Sequence, residues 1–185
     1  MKKRIAEVSP RFKARIAGAL FLFGFLSAVL GEFFVRRLEI AADLVAVSSM
    51  IAVTLLLYAI FEPVNRGLSL LAASFNFVGL TFGALRWNPR GVDIPVVFDG
   101  FYCLLMGYLI FRSALVPRIL GGLIACAGFG WLTFLSPPLA HYLFPYNLAL
   151  GILGQGSIML WLLMMGVNEQ GWKEQASGRV TNHSK

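Results

Sequence analysis

Six apolar runs of close to twenty residues each recur along this chain, and they leave little room for any fold but a membrane bundle. They cover residues 15–35, 40–61, 67–85, 94–111, 117–135 and 146–166. A helix rises about 1.5 Å per residue, so about 20 residues cross a hydrocarbon core about 30 Å thick. Inside hydrocarbon no water satisfies the backbone, which restricts spanning segments to helices and closed barrels. Barrel strands alternate apolar and polar residues, and these runs do not. The expected fold is all-α: a polytopic integral membrane helical bundle of about six transmembrane helices. Three parts follow: a basic tail at 1–14, a six-helix domain at 15–166 and a polar tail at 167–185. The tail beyond Trp172 is expected to be mobile.

Composition agrees. The chain is 58% hydrophobic and 14% charged, too little charge to cover a soluble domain of this size. The net charge of +7 is not a footprint for nucleic acid. Lys2, Lys3, Arg4, Arg11, Lys13 and Arg15 cluster ahead of the first run, and the other basic residues flank later runs. That is the positive-inside pattern. With the N-terminus inside, twelve Lys and Arg fall on the inner side and four on the outer. The expectation is a multi-pass protein of the cell inner (plasma) membrane with both termini cytoplasmic and anionic lipid beneath the basic tail. The first run follows a basic stretch like a secretory signal, but its apolar part is too long and lacks a cleavage motif, so an uncleaved helix is expected.

Connections read as turns. "EPVNRG" (62–67), "RWNPRGVDIP" (86–95) and "RSALVP" (112–117) are short, and Pro117 suits the first turn of a helix. "SPPLAHYLFPYN" (136–147) is the longest, and its aromatic residues suit a membrane interface. Glu62, Asn65 and Arg66 read as cap and loop residues.

Helices in lipid gain nothing from the hydrophobic effect against one another, so small residues must let backbones approach. Gly79 with Gly83, the ridge Gly122–Cys126–Gly130, Ala14 with Gly18, Gly24 with Ala28 and Ser27 with Gly31 supply such faces. They are read as packing surfaces within the chain, and secondarily as a homo-oligomer interface. Cys103 and Cys126 are read as small buried side chains.

The polar residues within the spans carry the functional question. Glu32, Asp43, Asp99 and Arg86 fall at a common depth toward the outer face, with Arg36 near them and Asn147 at the outer end of the sixth run. Asn76 and Gln155 lie deeper. Asn147, Gly151 and Gln155 share a helix face, as do Asp99, Cys103 and Gly107. Charges at such depth turn inward, so a polar chamber in the outer half is expected, with Arg86 or Arg36 as counter-charge. It would hold a small polar solute or cation. A structural reading stands beside it. Glu32 can pair with Arg36, Asp43 and Asp99 can complement helix N-termini, and Asn76 and Gln155 can join helices.

No catalytic or metal motif appears. The histidines are His141 in an outer connection and His183 in the tail, with no HExxH and no nucleophile elbow. No cofactor is expected. The functional readings are a small-solute permease or membrane ligand-binding protein, a non-catalytic scaffold or accessory subunit, and an enzyme acting on lipid or quinone.

Several blocks resemble a known family of bacterial and archaeal multi-pass proteins, domain of unknown function 4386. They are "RIAGALFLFGFLSAVLGE" (15–32), "AADLVAVSSMIAVTLLLYAIFEPVNRGLSLLAASFNFVG" (41–79), "GYLIFRSALVPRILGGLIACAGFGWL" (107–132) and "LWLLMMGVNEQGW" (160–172). The resemblance implies about six helices and assigns no activity. Asp43 and the "PVNR" of Pro63–Arg66 match positions characteristic of the family. The chain departs in a shorter link between the first two runs and in "FDGFYCLLMG", where the family would place a histidine near Tyr102.

Overall fold

The structure is a computed structural model that describes residues 9–34, 39–87 and 89–182. Arg36 and Arg37, and the tail residues before Ser9, lie outside the described residues. Eight α-helices occur in the described residues: α1 (Pro10–Phe34), α2 (Glu39–Phe61), α3 (Arg66–Ala84), α4 (Ile94–Arg112), α5 (Arg118–Leu132), α6 (Pro137–Leu143), α7 (Tyr146–Met164) and α8 (Glu169–Asn182). All but α6 and α8 are long and apolar enough to cross a membrane. The protein is thus a polytopic helical membrane bundle.

The six long helices form a closed ring in chain order. Each packs on the next, and α7 returns to α1. Short turns alternate their direction, so one end of the ring carries the α1–α2, α3–α4 and α5–α7 connections. The opposite end carries α8 and the start of α1. The first is called here the distal end.

Glycines set how closely neighbours approach. A Cβ on Gly107 would stand 2.8 Å from the Gly121 carbonyl, and one on Gly128 would stand 2.8 Å from the Gly100 carbonyl. These pairs bring α4 against α5. Gly154 does the same for α7 on α5, since its Cβ would lie 2.5 Å from the Leu123 carbonyl. Gly18 seats α1 on the backbone of Leu163. Gly79 meets Phe98 and Pro95 of α4, as its spacing with Gly83 suggests.

The ridge expected in the fifth run is corrected in part. Gly130 does seat α5 on α7, since its Cβ would stand 3.0 Å from the Asn147 carbonyl, but Cys126 is exposed and Gly122 meets only the tip of Phe111. The face of α5 that meets α4 uses Gly121 and Gly128 instead, on nearly the opposite side of the helix from Cys126. Of the two cysteines only Cys103 is buried.

The apolar core lies toward the terminal end. Ala14 and Ala17 of α1, Val53 and Ile60 of α2, Leu109 of α4 and Leu162 of α7 are nearly inaccessible. Charged groups close that end. Arg11 Nε donates to the Met165 carbonyl at 3.2 Å, and an Arg15 guanidinium nitrogen to the Met164 carbonyl at 3.1 Å. Both satisfy carbonyls at the negative end of α7. Asn65 caps α3 by accepting from the Leu68 N–H at 3.0 Å, and Glu62 pairs with Arg66 at 3.6 Å.

Three boundaries differ from expectation. The first helix begins at Pro10, inside the basic segment, because α1 continues past the apolar run to reach the end of α7. Pro117 is the N-cap of α5 rather than a residue of its first turn. The polar tail is largely helical: α8 runs to Asn182. It is tethered by the Trp172 indole N–H, which donates to the Ile60 carbonyl at 3.1 Å. Gly171 lies against Ala114.

Candidate functional site: a chamber at the distal end of the ring

The distal half of the ring is not filled. A cavity of about 340 Å³ opens among the long helices, with Asn76, Asp99, Trp131 and Gln155 in its wall. A second cavity of about 720 Å³ adjoins it and is lined by Asp43 and Arg86. Ala46, Val47, Gly83 and Ala84 line both. The smaller cavity therefore continues outward through a cleft between α2 and α3. Small residues on the two facing helices leave that cleft open.

Its mouth carries an ion pair. An Arg86 guanidinium nitrogen lies 3.1 Å from Asp43 Oδ2. Asp43 and Arg86, read from the sequence as neighbours in one layer, meet here as an ion pair. Arg86 also stands in an unusual backbone state, with φ of 49°. The Trp87 N–H bonds the Phe82 carbonyl and the Arg86 N–H the Gly83 carbonyl, at 3.2 and 3.0 Å. That is the Schellman closure of a helix, whose left-handed position normally holds glycine. The corresponding residue after α7 is Gly166, with φ of 73°. An arginine is held where glycine would be free of strain, and its side chain spans to α2.

Asp99 has a different partner. α4 starts at Ile94, so Asp99 lies beyond its first turn and does not serve as a cap. Gln155 Nε2 donates to Asp99 Oδ2 at 2.5 Å. The same nitrogen is 3.5 Å from Cys103 Sγ, which lies 4.0 Å from the carboxylate. Gln155 was expected deeper than Asp99. α7 begins at Tyr146, where the sixth run was read, and packing sets its tenth residue level with the sixth of α4.

Asn76 is 5% exposed and faces the smaller cavity. No hydrogen bond reaches its side chain among the described residues. Trp131, in the same wall, has a buried indole N–H that is also unpartnered. Its ring rests on Gly151, where no Cβ would fit. Sequence reasoning did not single out Trp131. Its signal was Gly151, one turn before Gln155 on the same face.

Asn147 is not part of the chamber. It is 2% exposed, and its amide donates to Thr133 Oγ1 and the Ala140 carbonyl, both at 3.2 Å. It ties the α5–α7 connection together, because that segment's turn carbonyls need a donor. Glu32 lies in the last turns of α1, at the same end as Asp43, and its side chain falls outside the described residues. Of the expected layer, Asp43 and Arg86 form the mouth, while Asp99, Asn76 and Gln155 line the interior. Met50 of α2 lines it too. No group of three or more metal-ligating side chains gathers among the described residues.

An uncharacterized protein of Archaeoglobus fulgidus is 25% identical over 127 residues, covering 63% of this chain and 76% of the relative. No solved structure matches the chain. The family model of a domain of unknown function (DUF4386) matches residues 80–166, and the resemblance read from the sequence therefore holds across α4, α5 and α7 and the links between them.

Proposed function

We propose that this protein is a membrane ligand-binding protein that works as a small-solute permease. The solute enters at the distal end, passes the Asp43–Arg86 pair and rests against Asp99, Gln155 and Asn76. One observation carries the reading: Asn76, a residue only 5% exposed, lines an open cavity and makes no side-chain hydrogen bond among the described residues. Its amide atoms reach the cavity instead of being sealed in the wall, so a bound solute or water can bond them. The cavity's size falls in the range of ordinary small-molecule sites, about 300–1,000 Å³. Arg86 balances Asp43 at the mouth and leaves Asp99 to face the solute. The charge bias of the connections supports cytoplasmic termini in a plasma membrane, which puts the mouth on the outer side.

The test is accessibility. In a chain carrying Cys103→Ala and Cys126→Ala, a single cysteine is introduced as Ala46→Cys, which lines both cavities. A second chain carries Val45→Cys, one residue away and outside the cavity wall. A membrane-impermeant thiol reagent should modify the first and spare the second. Failure to modify Ala46→Cys would favour a scaffold whose polar residues only join helices.

A further inference from the structure

We infer that the chamber selects an organic cation: a protonated amine with a compact apolar body. This rests on the ligand-binding reading above and names its substrate class.

Charge is the first ground. Among the described residues Asp99 is the one charged side chain in the wall of the smaller cavity. Arg86, at the same end of the bundle, stands in the outer cavity at Asp43. A carboxylate at this depth without a basic neighbour is expensive unless a cation joins it. Gln155 offers its carboxylate a single amide nitrogen and no charge.

The rest of the wall decides which cation. Phe21, Phe25 and Trp131 supply aromatic surface, and Met50, Leu80 and Val96 supply aliphatic surface. Aromatic faces attract ammonium groups, more strongly where water is excluded. A bare metal ion needs a shell of several oxygen ligands, and Asp99, Asn76 and Gln155 are too few to replace its water. An ammonium needs fewer. Its N–H groups can be met by the Asp99 carboxylate and the Asn76 amide oxygen, which is otherwise unbonded. The apolar body then covers the hydrocarbon part of the wall.

The experiment is equilibrium dialysis of three labelled probes against the purified full chain in detergent. The probes are phenethylammonium, the neutral 2-phenylethanol and the anion phenylacetate. The unaltered chain should bind the amine saturably and at least about tenfold more tightly than either analogue, a factor that corresponds to about 1.4 kcal/mol. Asp99→Asn, nearly the same in shape and still able to accept from Gln155 through its amide oxygen, should remove that preference while the purified chain remains folded by circular dichroism. Charge selectivity on the unaltered chain is a second measurement that needs no variant. Equal binding of amine and alcohol, or binding untouched by Asp99→Asn, overturns the cation assignment and leaves the chamber reading intact. Sodium ions displacing the amine at equal concentration also overturn it. No binding of any probe, with Ala46→Cys reactive, overturns the cation assignment alone. No binding with Ala46→Cys inert overturns both.

Discussion

Gln155 of α7 donates to Asp99 of α4 across the ring at 2.5 Å, joining two helices that α5 separates along its circumference. The bond crosses the chamber just above the packed core, where Met106 of α4, about two turns further along, and Ile158 of α7, about one turn further along, are buried. It is both a tie between helices and a floor for the cavity.

This bond should be stronger than an average polar contact between membrane helices, which is worth about 0.6 kcal/mol. A carboxylate acceptor raises a hydrogen bond toward about 1.5–3 kcal/mol. Gln155→Leu should therefore lower stability by about 1–2 kcal/mol. The loss should shrink when Asp99→Leu is already present, giving a coupling of about 1 kcal/mol in a double-mutant cycle. Reversible unfolding in mixed micelles measures it. A coupling near zero would mean that the two side chains do not bond.

Gly154 and Gly156 are two residues apart on α7 and should respond oppositely to alanine. A Cβ on Gly154 would press on the backbone of Leu123, whereas one on Gly156 would meet nothing within 4 Å. Gly154→Ala should push α7 from α5 and destabilise by about 1–3 kcal/mol, the usual cost of overpacking. Gly156→Ala should be neutral or stabilise by up to about 1 kcal/mol, through helix propensity alone. The same unfolding titration separates them.

Much of this was legible in the sequence. Length and hydropathy specify the spans, because the bilayer imposes one dimension. Charge counting then puts Asp43 and Arg86 at one level, and they pair. What depth does not carry is azimuth. The α5 sequence offers two small-residue stripes, and only the tertiary packing of Gly107 against Gly121 and Gly100 against Gly128 decides between them. Asp99 could be placed at its level but not matched with Gln155, four residues further into its own helix, because how far α7 slides along its neighbours is set by tertiary packing. Asn147 shares a helix face with Gln155, yet its first-turn position sends it to the connection. The helix α8 escaped notice because its polar sequence has no apolar stripe. It is held by single contacts such as Trp172 on Ile60.

That last contact makes its own prediction. The Ile60 carbonyl lies in the final turn of α2 and has no partner within the helix beyond it. Trp172→Phe keeps the ring and removes the donor, at a cost of about 1 kcal/mol. The visible effect should be local, since α8 packs outside the ring. Trypsin cleavage after the exposed Lys173 should accelerate about fivefold, in line with that free energy, while the thermal unfolding of the six long helices changes little. Unaltered cleavage would show that other contacts hold α8.

Arg86 separates a backbone effect from a side-chain effect. Its left-handed φ of 49° disfavours any side chain and suits glycine, by about 1 kcal/mol. Its ion pair with Asp43 is half-exposed at the mouth, and pairs of that kind contribute about 0–1 kcal/mol. Arg86→Gly removes both the strain and the pair, so stability should stay within about 1 kcal/mol of the unaltered chain. Arg86→Ala removes the pair and keeps the strain, so it should be less stable than Arg86→Gly by about 1 kcal/mol. The two should be alike at the mouth: in each, Ala46→Cys should react with the thiol reagent faster than in the parent, because nothing bridges α2 and α3 over the cleft. Asp43→Asn should speed the reaction too without touching the backbone. If Arg86→Gly reacts no faster than the parent, the ion pair is not what closes the mouth, and the arginine's strained position has some other use.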